Sequence, residues 1–102
     1  MKRSTFIDKI LIFEKNKNLI VVEKFLDRLD TVLSCYDDFM DEIFSDIFYE
    51  LYLNEDRKPY LEIATNFNIS TSKVFDVKIK IEAYARKLIL KEGEFHFFKK
   101  YL

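Results

Sequence analysis

Four lysines, Lys73, Lys80, Lys87 and Lys91, recur at spacings of seven, seven and four residues. On a helix of 3.6 residues per turn, that spacing puts them along one side. Ammonium groups in such a row suit phosphates along the wall of a nucleic-acid groove. Around the first of them lie Ser70, Thr71, Ser72, Phe75, Asp76 and Lys78. A hydroxyl can hydrogen-bond a base edge, an aromatic ring can touch a thymine methyl, and a carboxylate can accept from a cytosine amino group. The candidate DNA-binding set is therefore Ser70, Thr71, Ser72, Lys73, Phe75, Asp76, Lys78 and Lys80. For any single lysine, a solvated helix face is the plainer alternative.

Side chains with this task need a helix held at a fixed angle by a second one. The stretch LEIATNFNISTSKVFDV, Leu61 to Val77, has the pattern of a helix-turn-helix. Ile63, Phe67, Ile69, Val74 and Val77 supply the apolar positions. Ala64 is the small residue that lets the helices approach closely. Asn68 stands at the turn position usually held by Gly, and Asn is the next-best residue for left-handed backbone. Ser70 follows as an N-cap. On the second helix, Val74, Val77, Ile81, Ala85 and Leu88 form a core stripe. Ile79, Ala83 and Leu90 lie outside it and are too apolar for free solvent. They are expected either to pack on the N-terminal helices or to form a homodimer interface.

The segment Ile47 to Leu90 resembles sigma-factor region 4, and especially the small phage-encoded transcriptional regulators of the ArpU and RinA type. The residues that carry the likeness are Tyr49–Leu53, Glu62–Ala64, Ile69–Ser70 and Val74–Leu88. The resemblance implies a transcription regulator of phage or prophage genes. It further implies contact with double-stranded DNA and with RNA polymerase. A protein-interaction module built on the same unit, without DNA reading, is the alternative.

The net charge is −1, from 17 basic and 18 acidic residues, which at first argues against a DNA reader. The charges are unevenly spread. Residues 1–57 carry 8 Lys/Arg and 13 Asp/Glu, whereas residues 58–102 carry 9 and 5. The acidity belongs to the N-terminal half, and the half with the motif is basic.

One all-α domain over residues 1–102 is the expectation. One Gly and one Pro in 102 residues leave few turns for an all-β fold, and 49 % hydrophobic residues suffice for a core. Its parts are an acidic helical segment at 1–36, the helix-turn-helix unit at 37–92, and an aromatic tail at 93–102. Thr5 and Asp8 start a helix over about 5–15, with Phe6, Ile7, Ile10, Leu11 and Phe13 largely on one side. Asn16 to Asn18 make a turn. A second helix begins at Leu19, with Val22, Phe25, Leu29, Val32 and Leu33 at the spacing of an apolar face. A break is expected near Ser34 to Asp38, with Ser and Asp as caps and Asp37, Asp38, Asp41 and Glu42 at the start of the next helix. Pro59 opens another helix, a long one runs from Thr71 to Lys91, and Gly93 caps its end. The tail EFHFFKKYL either folds back on the core or joins a partner chain, with His96 as a partly buried member of its aromatic cluster.

No apolar run is long enough to span a membrane, and the N-terminus makes a poor signal peptide. The single Cys35 cannot form an internal disulfide, which fits a reducing cytoplasm. No Gly-rich phosphate loop, catalytic triad or His/Cys cluster is present. Neither enzymatic activity nor a cofactor or metal is expected.

Overall fold

The computed structural model describes residues 6–37 and 43–102, and within them the regular structure is entirely helical. The elements are α1 (Phe6–Glu14), α2 (Leu19–Asp37), α3 (Phe44–Phe48), a wide π-turn continuing α3 (Tyr49–Leu53), α4 (Tyr60–Asn66), α5 (Thr71–Lys91) and a C-terminal 3-10 helix (Gly93–Tyr101). The shortest dimension of the molecule is 19 Å. That equals about two helix diameters, so the fold is two layers thick.

The core is one cluster. It takes Phe6, Ile7 and Ile10 from α1, and Val22, Phe25, Leu29 and Leu33 from α2. Phe44, Ile47, Phe48 and Leu51 come from α3 and its π-turn, and Val74, Val77, Ile81, Ala85 and Ile89 from α5. On α5 the buried stripe ends at Ile89, with Leu88 only half-buried, because successive four-residue steps drift around the helix. Phe13 also departs from the expected face. It is 55 % exposed and stacks on Tyr101.

The tail folds back. Phe95 and Phe98 are fully buried, and each meets Phe25 edge-on at 5.4 Å. His96 is not part of that cluster. It is exposed, with Nε2 3.1 Å from the Leu90 carbonyl oxygen. Gly93 is not a left-handed cap either: no glycine has a positive φ, and the extended Glu92 closes α5 through its N–H to Leu88 O. The Asn16–Asn18 turn likewise forms without left-handed backbone, through Lys17 and Asn18 N–H groups donating to Glu14 O.

The expected break between the second and third helices comes later in the chain. Ser34 and Asp37 lie inside α2, so neither caps α3, whose N-cap is Ile43 without a side-chain bond. Ser34 Oγ is instead 2.9 Å from Ser45 Oγ. Thr5, Asp38, Asp41 and Glu42 lie outside the described residues. Asp8, expected to act as a first-turn acid, is 7 % exposed and pairs with Arg57 at 3.3 Å. Arg57 also donates to the carbonyls of Leu51 and Tyr52. One guanidinium thus satisfies the open end of the π-turn and fastens it to α1.

Candidate nucleic-acid interface

The sequence around Asn68 dictates how α5 leaves α4. Asn68 has φ 56°, and among the described non-glycine residues it has the positive φ. Ile69 N–H donates to Ala64 O at 2.9 Å, and Asn68 N–H to Thr65 O at 3.2 Å. This pair of bonds is the Schellman pattern, which satisfies the last carbonyls of a helix while reversing the chain. Ser70 then caps α5, its Oγ accepting from Lys73 N–H at 3.1 Å. Pro59, with φ −61° and ψ 153°, stands just outside the start of α4, where its missing N–H costs nothing.

Packing completes the pair. Ile63, Ala64, Val74 and Val77 are all at most 2 % exposed, while Phe67 and Ile69 are half-buried against the core. Ala64 is buried at 2 % exposure, and α4 packs on α5. Tyr60 from the start of α4 meets Phe75 edge-on at 4.6 Å.

Not all eight candidate residues share one surface. Ser70, Ser72, Phe75 and Asp76 are exposed, and Thr71 and Lys73 are half-buried beside them. Lys80 is half-buried, with its ammonium 5.6 Å from the centre of the Phe44 ring. Lys73 and Lys80 are seven residues apart and share a flank. Lys78 and Lys80 are two residues apart, about 200° around the helix, so they project to opposite flanks. Lys78 bonds Glu82 at 3.2 Å, and both side chains are largely covered. Lys78 therefore projects away from the Lys73/Lys80 flank.

The cationic flank extends beyond the predicted set. Lys87 and Lys91 are exposed on the Lys73/Lys80 side, while Arg86 lies 5.1 Å from the Phe6 ring on the outer face. Arg86 was legible as a cation on α5, but its seat over Phe6 depends on α1 and carries no local sequence signal. Between the flanks runs an apolar ridge. Ile79 is 60 % exposed, Leu90 51 % and Phe75 41 %, with Ala83 also exposed. Ile79, Ala83 and Leu90 are left exposed, while the buried stripe from Val74 to Ile89 occupies the other side of α5.

Among the described residues, no group of three or more His, Cys, Asp or Glu side chains could hold a metal ion. Nor is any helix among them long and apolar enough to cross a membrane. No protein-family model, curated protein or solved structure matches the chain.

Proposed function

We propose that the chain is a transcription regulator of the phage type that binds double-stranded DNA with the start of α5. The observation that carries this reading is the left-handed turn at Asn68 leading into a capped α5 whose first turns are open at Ser72, Phe75 and Asp76. In this reading Ser72, Asp76 and Phe75 meet base edges in the major groove, and Lys73 and Lys80 meet phosphates. The acidic N-terminal half stands away from the duplex, where phosphates repel it. Contact with RNA polymerase follows only from the likeness to sigma-factor region 4.

Titrating cognate and scrambled duplexes at several salt concentrations tests the reading. Lys73→Ala and Lys80→Ala each weaken binding to both duplexes and reduce the salt slope by about one. Asp76→Ala instead changes which duplex is preferred, by ~1–3 kcal/mol at one base pair. Lys78→Ala has the smallest effect of the three lysine variants, because Lys78 projects to the flank opposite Lys80.

The exposed ridge of Ile79 and Leu90 favours a second reading, a protein-docking module on the same pair of helices. If the parent protein binds neither duplex at low salt, direct DNA reading is lost and docking takes its place.

A further inference from the structure

Beside the face assigned to DNA, α2 and α5 leave a shallow groove. Leu29 and Val32 from α2 and Tyr84 and Leu88 from α5 line it, in a volume of about 190 Å³. A second hollow of about 260 Å³ adjoins it along α5, sharing Tyr84 and Lys87 and reaching Lys80 and Ala83. The floor is apolar and the α5 rim is cationic. Lys87 and Lys91 are exposed and make no ion pair with any described residue. Glu92, the carboxylate lining the groove, is already bonded by Arg28 of α2. The groove therefore has a net positive edge over a greasy floor.

Lys80 to Lys91 spans eleven residues, ~16 Å along α5, which matches about three turns of a second helix. A helix that fills this groove needs apolar side chains at three- and four-residue spacing on one face and carboxylates beside them. We propose that the α2/α5 groove docks an acidic amphipathic helix of a partner protein, with Val32, Tyr84 and Leu88 seating its apolar face and Lys87 and Lys91 pairing with its carboxylates. The charge pattern selects this occupant, because a basic helix would meet the lysines and a neutral apolar one would gain nothing from them. The proposal does not depend on DNA binding, since it uses neither Ser72 nor Asp76.

The probe is a synthetic amphipathic helix with leucines on one face and glutamates on the other, added to the full chain. Controls are a scrambled peptide of the same composition, a peptide with lysines in place of the glutamates, and a DNA duplex. The expected result is saturable binding of the first peptide alone, with amide and side-chain NMR shifts centred on Val32, Tyr84 and Leu88. The double reversal Lys87→Glu/Lys91→Glu, at exposed positions where the fold persists, weakens that binding by roughly tenfold or more. Absence of binding overturns the proposal, as does equal binding of the scrambled or lysine peptide. So does a duplex that gives the same shifts at Val32 and Leu88. The same shifts from raising the protein concentration alone would assign the groove to a second copy and overturn it too.

Discussion

Glu14 is 3 % exposed at the end of α1, where an ionised carboxylate is costly unless it is bonded. It accepts from Tyr101 Oη, from Lys100 Nζ at 3.0 Å and from Asn18 Nδ2 at 2.9 Å. Those bonds, with Tyr101 the strongest, hold its carboxyl down from 4.5 to about 2. The same contacts push the Lys100 and Tyr101 ionisations upward. A depressed carboxyl stabilises the fold fully above its unfolded value and loses that contribution as pH falls through the folded one. Glu14→Gln is therefore expected to lower Tm at neutral pH, with the gap to the parent closing between about 4.5 and about 2. Thermal melts across that range check it, and a gap constant with pH refutes the assignment. At Asn68, φ 56° favours glycine. Asn68→Gly should keep or raise stability, whereas Asn68→Ala should lose ~1–2 kcal/mol in denaturant titrations.

The C-terminal 3-10 helix is an unusually long run of that geometry, and side-chain packing supports it. Phe95 and Phe98 lie parallel at 6.2 Å, both against Phe25. The Glu14 bonds to Lys100 and Tyr101 fix its far end to α1. Phe98→Ala should cost ~3–5 kcal/mol by chemical denaturation. Phe97→Ala, at a residue 40 % exposed, should cost markedly less. Similar losses for the two would mean that the tail does not seat as described. For α4 and α5 the equivalent element-level device is the cap at each end of the Asn68 turn. Schellman bonds finish one helix, and the Ser70 hydroxyl starts the next within four residues. So short a connection leaves the second helix little freedom in its direction, which is what a groove-reading helix requires.

Across the whole molecule, the exposed face of α5 is at once apolar at its centre and cationic on one flank. Two demands meet there. A duplex would use Lys73 and Lys80 with the first turns, whereas a second copy would cover Ile79, Ala83 and Leu90. Ile79 at 60 % exposure contributes little to the monomer's core. Ile79→Glu is therefore expected to leave monomer stability within ~0.5 kcal/mol of the parent. Sedimentation of the two proteins decides what the ridge does. A parent dimer that dissociates in the variant assigns the ridge to self-association. A monomer in both, with DNA affinity reduced in the variant, assigns it to the duplex face, since the added carboxylate faces phosphate.

By itself the sequence determined the helical class, the bounds of α5 from Thr71 to Lys91, the Ser70 cap and the left-handed backbone at Asn68. Each of these depends on local chemistry: apolar period, a hydroxyl within reach of the third N–H, and a side chain tolerant of positive φ. The tertiary structure alone decided where side chains of similar local appearance went. Phe95 is buried, edge-on to Phe25 of α2, while its neighbour His96 is exposed. Lys78 and Lys80 look alike in sequence, yet one is held by Glu82 and the other lies over Phe44 of α3. Ile79 remained outside although it is as apolar as Ile81, because the core forms on the face of α5 that carries Val74, Val77, Ile81, Ala85 and Ile89. Such choices depend on contacts between residues distant in the chain, and no window of local pattern contains them.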